Sequence, residues 1–170
     1  NAFGFTSSLA SVTFASGSLL QSIGYQAFEG SGLTSIAIPA SVTNIGDYAF
    51  YVASSLASVT FDSGSLLQSI GIQAFYYSGL TSIAIPSSVT NVGGQAFANC
   101  ASLTHVIVYC DTTATIAPDA FQYSPGLTSI TIPTTVTFLY TGTAITVTRS
   151  DSCVPTTHPT AAPGGPTAPP

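Results

Sequence analysis

Few side chains in this sequence could do acid–base, nucleophilic or metal chemistry. Its 170 residues hold three Cys, two His, six carboxylates and one cation, Arg149. Cys100, His105, Cys110 and Asp111 fall close together, and a thiolate–imidazole pair or an N/S metal site would need such groups to converge. Their spacing argues otherwise. No CxxC or HxxxH arrangement occurs, and if the stretch between the two cysteines is a strand, Cys100 points inward and His105 outward. The expectation is an exposed histidine and a packed thiol. His158 has no partner nearby in sequence, and no glycine-rich phosphate loop or GxSxG elbow occurs. Asp47, Asp62, Asp119 and Glu29 recur at different phases, so no acid pair repeats. No catalytic, cofactor or metal residue is expected, and the chain is not read as an enzyme.

The odd cysteine count leaves one thiol free or intermolecular. Ten residues of mostly extended chain hold Cys100 and Cys110 too far apart to bond. Cys110 and Cys153 both follow strands near the C-terminal end. Either a disulfide there staples the last coils, or both thiols stay free.

Charged residues make up 4% of the chain, where a soluble domain carries about 25%. Hydroxyls take their place, with 24 Ser and 24 Thr. One arginine cannot supply the basic footprint that nucleic acid requires. The apolar runs are too short and too broken for a membrane-spanning helix. At 45% hydrophobic residues, the chain has the means to bury a core.

What positions these residues is a repeat. The stretch Leu9 to Ser55 matches Leu56 to Ser102 at 35 of 47 positions. Each half is itself double. Leu9, Leu33, Leu56, Leu80, Leu103 and Leu127 are spaced 24, 23, 24, 23 and 24 residues apart. Phe28, Phe50, Phe75, Phe97 and Phe121 each follow an apolar residue by five places: Ile23, Ile45, Ile70, Val92 and Ile116. Such periods mean a solenoid, in which stacking buries a face that one coil cannot bury alone. Each coil reads as an alternating strand, a turn at Pro39 or Ser16-Gly17, and an irregular or 3₁₀ return through Val42, Ile45, Ala49 and Phe50. The strands should form one continuous parallel sheet with Leu33, Ile36, Ile38, Ile45 and Phe50 buried, as should their equivalents one coil on.

The pattern Leu-x-x-Ile-x-Ile-Pro-x-x-Val-x-x-Ile-Gly-x-x-Ala-Phe resembles the BspA-like (Treponema pallidum-type) leucine-rich repeat. Ala96, Phe97, Cys100 and Leu103 match that family's continuation, Ala-Phe-x-x-Cys-x-x-Leu. The resemblance implies a β-rich solenoid, a right-handed superhelix of about six 23/24-residue coils over residues 1–149. It implies surface adhesion or recognition rather than catalysis. Cys100, at the family position, reads as a buried small hydrophobe.

The ends differ from the middle. Asn1-Ala2-Phe3 is the tail of a coil whose strand is missing, which predicts a mature fragment, a piece of a longer array, or end-on stacking. Ala144 to Thr148 read as a short last strand. Residues 150–170 form a Pro/Thr-rich tail, with six Pro in the 17 residues from Val154. That composition favours polyproline II and an extended linker or stalk. It is also that of O-glycosylated stalks, with Thr156, Thr157, Thr160 and Thr167 as acceptors.

Two surfaces could make contacts. One outward column of the strands runs Ser11, Ser35, Ser58, Ser82, His105, Ser129. The other runs Thr13, Ala37, Thr60, Ala84, Ile107, Thr131. This is either a plain surface of small residues or a flat contact face. The tyrosines Tyr25, Tyr48, Tyr51, Tyr76, Tyr77 and Tyr123 gather beside the Ala-Phe segments, as core rims or as a contact stripe for sugar or a neighbouring chain. The reading is an extracellular structural protein, a glycosylated subunit that self-associates into a fibril or surface layer. The alternative is a cell-surface adhesion module that binds a glycoprotein or polysaccharide through the solenoid face; an ice or crystal binder is the weaker third. Neither nucleic acid nor membrane insertion is expected.

Overall fold

The computed structural model describes residues 2–109, 114–133 and 146–150. Among them there is no helix; the coils are built of parallel strands and turns. The longer strands are β2 (Ser35–Ile38), β4 (Ser58–Phe61), β6 (Ser82–Ile85), β8 (His105–Val108), β10 (Ser129–Pro133) and β11 (Thr146–Ser150). Between them lie two-residue strands: β1 (Ser22–Ile23), β3 (Asn44–Ile45), β5 (Ser69–Ile70), β7 (Asn91–Val92) and β9 (Thr115–Ile116). Ser35 pairs with Ser58, Ser82 with His105, and His105 with Ser129. Pairing register and sequence period are therefore the same, so each repeat position stacks on itself.

Alternation decides which face is buried. In β2 and β8 the pattern is exposed, buried, exposed, buried, as period-two pleating requires. Leu33, Ile36, Ile38, Ile45 and Phe50 are all buried. One coil on, Leu56, Val59, Ile70 and Phe75 are buried as well, whereas Phe61, standing where Ile38 stands, is only partly buried against the core.

Two expectations need correction. First, the long strands do not make one continuous sheet: β2 pairs with β4, and β6, β8, β10 and β11 form a separate sheet. The breaks follow the period. The 23-residue steps give full four-residue ladders, β2–β4 and β6–β8. The 24-residue steps are weaker: a lone bridge from Ser11 to Ser35, no ladder from β4 to β6, and three pairs from β8 to β10. Coils that open Ser-Val-Thr-Phe place Ile23 14 positions after Leu9, whereas Ile45 follows Leu33 by 12. The surplus forms a turn with Gly17 and Gly64 at φ 73° and 74°, and the pairing with the next strand keeps its register but loses most of its ladder. Thr81 still reaches back to the Ala57 carbonyl there, by its N–H at 3.3 Å. Second, the return is not irregular at its start. The apolar residues five places before each Phe pair in a five-stranded parallel sheet, Ile23 to Ile45 to Ile70 to Val92 to Ile116.

After that sheet the chain turns through the Ala-Phe segment with an alternating hydrogen-bond plan. One N–H donates three residues back within the turn, as Ala27 does to Gly24. The next donates to the following coil: Gln26 to Asp47, Phe28 to Ala49 at 2.7 Å, Gly30 to Tyr51. To aim alternate amides outward, the residues two before and two after the Phe take left-handed φ. They include Tyr48 (59°), Val52 (54°), Gln73 (51°), Tyr77 (54°), Gln95 (54°) and Asn99 (57°). Such values are uncommon outside glycine, and for β-branched Val52 they carry a cost. The coil spacing is tight here: a Cβ on Gly71 would stand 2.5 Å from the Asp47 amide nitrogen.

Stacking in register also puts Phe on Phe. Phe3, Phe28, Phe50, Phe75, Phe97 and Phe121 form one column, with centroids 5.0–5.4 Å apart and ring planes within 11° of parallel.

Candidate binding surfaces

The structure separates the groups that might have formed a chemical site. Cys100 is fully buried. Its thiol donates to the Phe75 carbonyl at 3.2 Å and lies 3.3 Å from the Ser78 hydroxyl. Burial pushes its pKa up from 9.0, and the hydrogen bonds with Ser78 pull it partly back. A buried thiol held protonated is a packing group rather than a nucleophile. It belongs to a column of small residues, Ser31, Ala53, Ser78, Cys100 and Ser124, all buried three places after the Phe. His105 is exposed on the opposite side of the coil's strand, its Nδ1 2.8 Å from the Thr104 hydroxyl. Among the described residues no three His, Cys, Asp or Glu side chains gather. The Asp47 carboxylate is occupied by the Ile72 amide at 2.7 Å. Cys110 and Cys153 lie outside the described residues, as do Thr156, Thr157, Thr160 and Thr167.

The strand face has the two expected columns. Ser11, Ser35 and Ser58 are linked by their pairings, as are Ser82, His105 and Ser129. Thr60 lies across from Ala37, and Ile107 between Ala84 and Thr131. Thr13, Thr60 and Ile107 are exposed, whereas Ser129 and Thr131 are half-buried. Beside these columns, hydroxyls tie coil to coil. Thr104 donates to the Thr81 carbonyl at 3.0 Å and Thr128 to the Thr104 carbonyl at 3.1 Å. This accounts for part of the unusual hydroxyl content: each such Thr satisfies its own polar group on the backbone of the coil before.

The turn edge is different in kind. Five tyrosines touch in series. Tyr25 meets Tyr48 edge-on at 5.6 Å, Tyr48 meets Tyr51 at 5.5 Å, Tyr51 stacks on Tyr76 at 5.2 Å and 7°, and Tyr76 meets Tyr77 at 5.0 Å. Desolvation raises the Tyr76 pKa, with smaller contributions from the phenols of Tyr51, Tyr77 and Tyr123. The edge is both rim and surface: Tyr48, Tyr51 and Tyr76 are half-buried, while Tyr25, Tyr77 and Tyr123 are 59%, 53% and 69% exposed. Val52 and Ile72 are exposed on the same edge. The sequence reading missed these two because it placed apolar residues inside; their offset from each Phe was the available signal. The left-handed backbone turns Val52 outward two places past its Phe, and Ile72 stands three places before its Phe, where Tyr25 stands in its own coil.

A helix-free parallel solenoid with a polar strand face and an aromatic turn edge defines a leucine-rich-repeat scaffold that offers surfaces. A family model described as "BspA type Leucine rich repeat region" matches residues 1–104 in six copies, and the chain belongs to that family. It is similar to the crystal structure of the pneumococcal vaccine antigen PcpA, with 25% identity and a TM-score of 0.65 over 76% of this chain and 34% of that one. It is also similar in fold to the leucine-rich repeat protein of T. pallidum, with 21% identity and a TM-score of 0.59 over 76% of this chain and 67% of that one. The chain thus spans about a third of the pneumococcal antigen's length. No curated protein sequence matches it significantly. No helix among the described residues is long and apolar enough to cross a membrane.

Proposed function

We propose that this chain is a non-enzymatic structural solenoid of a cell surface or surface layer, which associates with copies of itself and carries O-linked sugar on its Pro/Thr tail. The observation that carries the reading is the aromatic turn edge. Tyr25, Tyr77 and Tyr123 stand exposed, as do Val52 and Ile72 on the same edge, on a molecule in which only 4% of residues are charged. Tyrosine is enriched where proteins meet, because a rigid ring contributes large contact area at low entropic cost. The second reading, an adhesin that binds a host or matrix glycoprotein or polysaccharide, is favoured by the likeness to a pneumococcal vaccine antigen.

Sedimentation of the full chain against a Tyr25→Ser/Tyr77→Ser/Tyr123→Ser variant tests this. The wild type should associate as concentration rises. The variant, checked by circular dichroism for an intact fold, should stay monomeric. A wild type that is monomeric throughout would remove self-assembly and leave the adhesin reading in its place.

A further inference from the structure

We propose that the ligand of the tyrosine edge is the chain's own proline-rich tail, residues 154–170, donated by a second copy. The inference rests on the reading of that edge as an interface.

Spacing argues for it. Polyproline II has three residues per turn and rises about 3.1 Å per residue. Pro163, Pro166 and Pro169 are three apart, so in that conformation they form one ridge with teeth about 9 Å apart. On the solenoid, Tyr77 and Tyr123 occupy the same position two places past Phe75 and Phe121. The coil of Phe97 lies between them, and it puts Asn99 at that position. With coils about 4.8 Å apart, the two exposed rings stand about 10 Å apart, one for every second coil. Two coils before Tyr77 the same position holds Gly30, and Tyr25 lies on that turn three places ahead of Phe28. Two prolines three residues apart thus match the spacing of Tyr77 and Tyr123.

Chemistry and length agree with the spacing. Proline-rich segments dock on aromatic-lined surfaces because their backbone is already extended and loses little entropy on binding. From Val154 onward the tail holds no Asp, Glu, Lys or Arg, which suits an edge recognised through ring faces rather than charge. Seventeen residues reach about 50 Å in polyproline II. The turns from Tyr25 to Tyr123 span four coil steps, about 20 Å. The tail therefore covers the whole edge with length left to connect two copies.

The chain contains no Trp and its tail no aromatic residue, so tyrosine emission arises outside the tail, and six of the eight tyrosines are those of the edge. A synthetic peptide of residues 154–170 is titrated into the full chain, and the full chain is compared in sedimentation with a Pro163→Ser/Pro166→Ser/Pro169→Ser variant, whose changes lie outside the solenoid. The expected results are a saturable change in tyrosine emission and self-association weakened about tenfold or more by the proline changes, as by the tyrosine changes. If the proline variant assembles like the wild type while the tyrosine variant does not, the tail is not the ligand, although the edge remains an interface. If both variants assemble like the wild type, the edge is not the interface and the inference fails, while self-association itself stands on another surface. A tail that docks only within its own copy, altering tyrosine emission while the chain stays monomeric, also overturns the inference.

Discussion

Deprotonating Tyr76 is harder than deprotonating a free phenol, because its ring is partly desolvated and its neighbours are phenols that would repel a phenolate. The folded state therefore holds this proton more tightly than the unfolded chain. The stability it confers is complete below the ordinary value of 10.0 and is lost as pH climbs through the raised folded value. Cys100 acts with the same sign from its ordinary value of 9.0 upward. Tyr76→Phe should thus lose less stability between pH 8 and pH 11 than the wild type, both retaining the Cys100 component. Urea midpoints at the two pH values measure it, and equal losses would refute it. The residue scale is also where the sequence was least legible. That Cys100 is buried and His105 exposed could be read from strand alternation. That Val52 adopts φ 54° could not, since no local propensity of valine favours it; the alternating hydrogen-bond plan of the turn imposes it against that propensity.

The Phe column is the element that most directly converts repeat into fold. A constant offset of five residues from the short strand to the Phe lets every ring land on the one before. Phe75 stacks at 5.0 Å on Phe50 and at 5.1 Å on Phe97. Phe75→Ala should destabilise the chain by about 3–5 kcal/mol through lost burial and an unfilled cavity. Chemical denaturation reads this directly, and a cost below about 1 kcal/mol would mean that the coils close over the gap. Strands, core positions and coil register were legible because all follow from a period and an alternation. The second sheet was less so: two-residue strands such as Asn44–Ile45 are too short to alternate, and only their stacking makes them strands. The broken long sheet was written in the 23/24 alternation, but its effect depends on where in the coil the surplus residues fall.

At the scale of the whole molecule the outstanding quantity is charge. Seven of 170 residues are charged, one cation against six carboxylates, while 24 are Ser and 24 are Thr. The proposed function also places O-linked sugar on Thr156, Thr157, Thr160 and Thr167. Intact-mass measurement on native material should exceed the 17.2 kDa of the bare chain; a mass equal to it rules the modification out. The hydrogen bonds of the turn edge bear on how any array of these coils grows. There the amides of Phe28, Phe50, Phe75 and Phe97 all donate forward, each to a carbonyl of the coil that follows. The peptide dipoles of that edge therefore add along the stack as they do along a helix, with the positive pole leading toward later coils. Such a column has a plus end and a minus end. Two stacks can prolong it only when they point the same way, so polymerisation along this axis would be vectorial.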